Sequence, residues 1–159
     1  MTNSEATGKR LERATRRAFR RSLHVFAVNA GSCNGCEGEL AALLGPPYGL
    51  ARHRIAFVDS PLHADMLLVT GPVTVPLRQH LLAAYEALPD PKLVAATGAC
   101  ACTGGLFRGS YALDAPLGAL IPVDVYIPGC PPNPRALLHG LLLAVGRGEA
   151  RMRKGIVER

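Results

Sequence analysis

Five short apolar runs, at residues 24–30, 55–59, 66–70, 93–96 and 123–127, constrain this chain more than any other feature. Most are nearly continuous rather than alternating, the pattern of strands in a sheet covered on both faces. Helix-like stretches separate them at 37–44, 76–88 and 134–145. The second and third open with proline, whose missing N–H costs nothing in a helix's first turn. Pro89 then stops the second. Strands alternating with helices predict a doubly wound α/β domain with a mostly parallel sheet.

Five parallel strands suggest the flavodoxin-like order. In such a sheet ligands bind beyond the carboxyl ends of the strands. All five cysteines fall there. Cys33 and Cys36 form C-N-G-C after the first run, Cys100 and Cys102 lie in G-A-C-A-C-T-G-G after the fourth, and Cys130 lies in P-G-C-P-P after the fifth. The topology therefore predicts that Cys33, Cys36, Cys100 and Cys130 meet in space. Glycines flank them, which lets backbone approach a bulky group and turn N–H donors toward it.

Four converging thiolates suit an iron–sulfur cluster or a structural zinc. A zinc ribbon draws on paired C-x-x-C knuckles, and only one such pair is present, so spacing favours a cluster. Zinc in an interaction module, and a thiol redox pair at Cys33 and Cys36, stay open as alternatives. His24, His53, His63, His80 and His139 show no ligand spacing among themselves.

Composition narrows the remaining classes. With 159 residues, 48% of them hydrophobic and 19% charged, one domain with a full core is expected. No apolar run reaches the roughly 18–20 residues needed to span a bilayer. An odd cysteine count without a secretory segment points to a reducing compartment and metal or redox chemistry. Residues 1–21 carry a net +5 and 147–159 a net +3, while 22–146 carry −2. The expected organisation is a basic N-terminal arm over 1–21, helical from about residue 9, a globular body over 22–147 and a basic tail over 148–159. A slightly acidic body argues against a nucleic-acid face. Basic ends suit an anionic membrane surface, an acidic partner subunit or RNA.

Four motifs extend this reading. G-S-C-N-G-C-E-G-E-L at 31–40, V-T-G-P-V at 69–73, G-A-C-A-C-T-G-G at 98–105 and P-G-C-P-P-N-P at 128–134 stand in the order seen in one family. Together they resemble the cluster-bearing small subunit shared by [NiFe] hydrogenases and respiratory complex I. The resemblance implies a flavodoxin-like fold with one [4Fe–4S] cluster held by Cys33, Cys36, Cys100 and Cys130. Cys102 falls on a variable position of the third motif and is expected to be a small buried side chain.

The C-x-x-C spacing resembles the hydrogenase branch. Adjacent cysteines mark the alternative branch, the 20 kDa subunit of complex I (NADH-quinone oxidoreductase), an electron carrier to quinone. A chain with one cluster resembles the membrane-bound, energy-converting hydrogenases and formate hydrogenlyase. The implied partners are a large subunit with or without nickel, a ferredoxin-like iron–sulfur subunit and membrane subunits, on the inner face of the cytoplasmic membrane. The implied activity is electron transfer inside an oxidoreductase complex, with no catalytic residue in this chain. Glu37 and Glu39 are candidates for proton transfer or an interface, although an acid at a helix start also serves the helix dipole.

Overall fold

The structure, a computed structural model, describes residues 22–157 without a break. Ala6, Lys9, Arg10, Glu12 and Arg13 are isolated described positions before them, and the side chains of Arg52 and of residues beyond Gly146 are outside the description. The helix expected over 9–21 therefore lies largely outside the described residues.

The strands are β1 (Leu23–Asn29), β2 (Ile55–Phe57), β3 (Met66–Thr70), β4 (Leu93–Thr97) and β5 (Val125–Ile127). They pair in the order β2-β1-β3-β4-β5, and every pairing is parallel. This is the flavodoxin-like order, with a sheet that is wholly rather than mostly parallel. The helices are α1 (Gly35–Leu44), α2 (Arg78–Ala87), α3 (Gly98–Thr103), α4 (Leu117–Leu120) and α5 (Pro134–Val157).

Sequence composition explains the layering. β3 and β4 are buried at every position, so consecutive residues feed opposite cores. Met66, Leu68, Leu93 and Ala95 pack with Leu40 and Leu43 of α1 and with Leu137, Leu138 and Leu141 of α5. Leu67, Val69, Val94 and Ala96 pack on the other face with Leu81 and Ala84 of α2, Ala101 of α3 and Leu117 of α4. Each fully buried leucine contributes about 1.5–3 kcal/mol of burial. Carboxylates secure strand entries: buried Asp65 accepts the His24 N–H at 2.9 Å and half-buried Asp124 accepts the Val94 N–H at 2.8 Å.

Strands β2 and β5 are shorter than the runs at 55–59 and 123–127, and three helical segments also differ from expectation. Pro76 sits in a short 3-10 turn, Val75–Leu77, and the α-helix proper starts at Arg78. Helix α5 continues to Val157, well past residue 145, because the Arg-, Ala- and Met-containing segment that follows the apolar stripe is itself helix-forming. The segment after β4, expected as a loop, is the short helix α3. Among the described residues no helix is long and apolar enough to cross a membrane.

Candidate metal centre

The carboxyl edge of the sheet is built from three segments. The first leaves β1 at Asn29. Its side-chain oxygen accepts the N–H groups of Gly31 at 2.8 Å and Ser32 at 2.7 Å, which turns the chain sharply. Asn34, left-handed at φ 68°, then starts α1. Cys33 is left exposed on the turn, and Cys36 is half-buried in the first helical turn. The N-terminal N–H groups of α1 favour negative charge at this end.

The second segment begins at Gly98, directly after β4. Gly98 has φ +88°, and a Cβ there would stand 2.6 Å from the Cys36 sulfur. Glycine is thus required twice, for the backbone and for the thiol. Cys36 Sγ also lies 4.0 Å from the Thr97 carbonyl oxygen. Two residues on, α3 carries Cys100. The third segment is fixed to it: the Ala99 N–H donates to the Gly129 oxygen at 2.7 Å, beside Cys130. The fold thereby brings Cys33, Cys36, Cys100 and Cys130 to one edge, as their strand-end positions predict.

The thiols sense one another. Burial pushes the Cys36 thiol from 9.0 up to about 11, helped by the Glu37 carboxylate and then by Cys100, Cys33 and Cys130. Burial likewise raises Cys100, with Cys130 and Cys33 adding to it. Burial and the neighbouring sulfurs disfavour the Cys36 and Cys100 thiolates, so a cation binding here would have to displace their protons and supply the missing positive charge.

Cys102 differs. It is half-buried, packs against the α2 and α4 core, and donates to the Ala96 oxygen at 3.6 Å. Burial raises its thiol, while a backbone hydrogen bond at Ile127 opposes the shift.

Does the edge suit a group larger than one ion? Among the described residues no three His, Cys, Asp or Glu side chains form a group that could hold a metal ion. The donor set is four thiols with glycine backbone around them. Beside it, the Thr97 hydroxyl is fully buried and has no hydrogen-bond partner among the described residues. Thr97 is in register with Thr70, and the alternation of β3 and β4 puts both on the α1 face. An unspent buried donor under Cys36 fits an acceptor-rich sulfur group at this edge.

Glu37 and Glu39 both follow Cys36 on α1 and both are partly buried. Glu37 is engaged: Ser32 donates to one carboxylate oxygen and Thr70 to the other, each at 2.5 Å. Arg108 is exposed on the loop after α3. The five histidines belong to no metal-ligating group among the described residues.

One feature escaped sequence reasoning. The loop from Gly104 to Pro116 projects from the cysteine edge with Leu106 93% exposed, Tyr111 99% and Phe107 52%. It is nonetheless pinned at its base. The Val75 N–H donates to the Ala112 oxygen and the Asp114 N–H to the Val73 oxygen, each at 3.0 Å, and Arg78 pairs with Asp114 at 3.2 Å. A cavity of about 140 Å³ between this loop and α3 includes Cys100 in its lining. The signal was present in L-F-R-G-S-Y, aromatic and aliphatic residues between glycines and outside any core run.

Known proteins resemble this chain. Residues 33–144 match the family described as the NADH ubiquinone oxidoreductase 20 kDa subunit. The probable membrane-bound hydrogenase subunit mbhJ of Pyrococcus furiosus is 49% identical over 160 residues, covering 99% of this chain and 95% of that protein. Formate hydrogenlyase subunit 7 of Escherichia coli is 46% identical over 128 residues, covering 80% of this chain but only 50% of that protein. Among solved structures, a chain of the archaeal membrane-bound sulfane sulfur reductase, a respiratory membrane complex, superposes with a TM-score of 0.72 at 35% identity, over 89% of this chain and 77% of that one. Since the family pattern covers most of the sequence and includes all four edge cysteines, the chain belongs to the NADH ubiquinone oxidoreductase 20 kDa subunit family.

Proposed function

We propose that this chain is the electron-transfer small subunit of a membrane-associated, hydrogenase-like complex, holding one [4Fe–4S] cluster through Cys33, Cys36, Cys100 and Cys130. The observation that carries the reading is the meeting of four thiols from three separate segments at the carboxyl edge, where Gly98 leaves the room that the Cys36 sulfur occupies. When bound, such a cluster accepts and gives up one electron at a time at a potential set by ligation, N–H···S bonds and burial.

The chain's own residues do the rest. α1 and α3 orient the thiols, and the glycine-rich turns close backbone around them. The exposed Leu106, Phe107 and Tyr111 offer an apolar, aromatic contact beside the site, the composition of a protein interface. It suits a large subunit, with or without nickel, that would cover the edge and exchange electrons with it. A ferredoxin-like iron–sulfur subunit would carry the electrons onward, and membrane subunits would hold the assembly at the inner face of the cytoplasmic membrane. Glu39 remains a candidate for proton transfer or partner contact. Two relatives named as hydrogenase or hydrogenlyase subunits favour this branch over the 20 kDa subunit of a quinone-reducing complex I.

The test is anaerobic purification of the four single Cys→Ser variants at 33, 36, 100 and 130, with Cys102→Ser as control. Each of the four should lose most of its iron, sulfide and reduced-state EPR signal, while Cys102→Ser keeps them. A colourless wild-type chain with stoichiometric zinc would overturn the cluster in favour of a zinc-stabilised module. Activity requiring Cys33 and Cys36 but not Cys100 would instead mark a thiol oxidoreductase. Nickel in the co-purifying large subunit decides between a hydrogenase and a nickel-free relative.

A further inference from the structure

We infer that Glu37 is a positioning residue: its carboxylate is the clasp that fixes the Cys33–Cys36 turn against the sheet. The clasp belongs to the same site as the proposed function, but its geometry stands whether or not a cluster is the group bound there.

Cys33 and Cys36 lie on a turn whose backbone is held mainly from within. Asn29 gathers the Gly31 and Ser32 N–H groups, and the Ser32 hydroxyl accepts the Asn34 N–H at 3.0 Å. The entry to the turn is tied to the sheet through Ala30, whose N–H donates to the Thr70 oxygen at 2.9 Å. The bonds within the turn shape it but do not tie the stretch from Ser32 to Cys36 to a distant element. Glu37 does. Ser32 donates to its Oε2 from inside the turn, and Thr70 donates to its Oε1 from the end of β3, each at 2.5 Å.

Thr70 has one hydroxyl proton and two acceptors in reach, Glu37 at 2.5 Å and the Val28 carbonyl at 3.3 Å. The shorter, charge-assisted bond takes it. The result is a chain of donors, Asn34 N–H to Ser32 to Glu37 from one side and Thr70 from the other, in which each bond polarises the next. Its anchor is a central strand buried along its whole length. The turn, the first helical turn and β3 are thus joined at one carboxylate, one residue from Cys36.

This explains why an acid sits where it works against the neighbouring thiol. The Glu37 charge raises Cys36. A carboxylate beside a metal-binding thiol makes the metal-free thiol harder to ionise, and the clasp it provides is the compensating gain. It also separates the two acids of the motif: both Glu37 oxygens are occupied by hydroxyls within the chain, which leaves Glu39 for other contacts.

The experiment compares Glu37→Ala, Glu37→Gln and Thr70→Val in the full chain. The first readout is amide hydrogen exchange on metal-free protein. A charge-assisted hydrogen bond shifts a local closed-to-open ratio by about tenfold or more. Exchange at residues 30–36 should therefore quicken by at least that factor in Glu37→Ala, with residues 66–70 and 93–97 unchanged. Glu37→Gln keeps one oxygen acceptor and should fall between Ala and wild type. Thr70→Val removes only the strand anchor and should reproduce part of the Ala effect. The second readout is the EPR line shape of the reduced, iron-loaded chain, which should change in Glu37→Ala and be largely rescued in Glu37→Gln.

Unchanged exchange at 30–36 overturns the clasp. So does an increase spread evenly over the sheet, which would mark a merely structural residue. If Glu37→Ala fails to fold, Thr70→Val and Glu37→Gln decide by the same two criteria. Faster local exchange in the variants of a chain whose wild type never takes up iron would keep the clasp and reject the cluster, so the two readings fail separately.

Discussion

Gly98→Ala tests the position of the Cys36 sulfur most directly. Two costs arise, and they can be separated. The backbone there has φ +88°. A left-handed conformation costs a residue with a Cβ about 1–2 kcal/mol. For a chain of this size each kcal/mol lowers Tm by about 2–4 °C, so the metal-free protein should melt roughly 2–8 °C lower. The second cost is steric: the new Cβ would be 2.6 Å from Cys36 Sγ. Ordinary contact between such atoms is about 3.5–4.0 Å, so the sulfur has to retreat by about 1 Å. In the metal-free chain a side-chain rotation provides this cheaply. Metal–ligand distances tolerate only about 0.2 Å, so a loaded site cannot absorb it.

Gly109→Ala supplies the control. Gly109 has a similar φ of +84° with no atom within 4 Å of its added Cβ. It should reproduce the loss in Tm and keep full iron content, whereas Gly98→Ala should lose at least half its iron. Calorimetry of the metal-free chains and iron and sulfide quantitation after reconstitution measure both. Full iron content with an unaltered EPR spectrum in Gly98→Ala would refute the argument, because the Cys36 sulfur would then not occupy the place described.

Two further expectations concern charge and contact. The Cys36 thiol is raised from 9.0 to about 11 in the folded, metal-free chain, so folding favours its neutral form. That stability is present in full below about pH 9 and is lost as pH rises through about 11. Urea midpoints should fall across this window and fall less in Cys36→Ser, whereas equal slopes would remove burial of the thiol as the cause. At the exposed loop, Leu106→Asn with Tyr111→Ser should leave folding stability within about 0.5 kcal/mol and iron content unchanged. The same pair should weaken co-purification of the large subunit by about tenfold or more, and wild-type recovery of that subunit would rule out this loop as the contact.

Much of the fold was legible because burial dictated it. β3 and β4 read as continuous apolar runs, since each residue must satisfy one core or the other. Their ends, and so the cysteine edge, followed from topology alone. What was missed depended on partners far away in sequence. α3 looks like a loop in G-A-C-A-C-T, and the Ala99 N–H that starts it is met by Gly129, thirty residues on. Strand β5 starts at Val125 rather than 123 because the parallel ladder with β4 registers only Val125–Ile127, while Asp124 ahead of it turns its carboxylate to the Val94 N–H. The engagement of Glu37 needed Thr70, and nothing local in C-E-G-E distinguishes it from Glu39. The exposed loop was overlooked because apolar residues were sought as core.

The spread of the four cysteines along the chain has a consequence for assembly. Cys33 follows the first strand and Cys130 the last, and the segments between them supply every crossover of the sheet. The four-thiol edge is therefore complete only when the final parallel pairing, β4 with β5, has closed, and such long-range pairings are the slow step of a fold like this. A bound group that recognises all four thiols stabilises the finished topology and no partial one. On the proposed function, its uptake would act as a checkpoint on synthesis: a truncated or mispaired chain would lack the fourth corner of the site and would carry no such group.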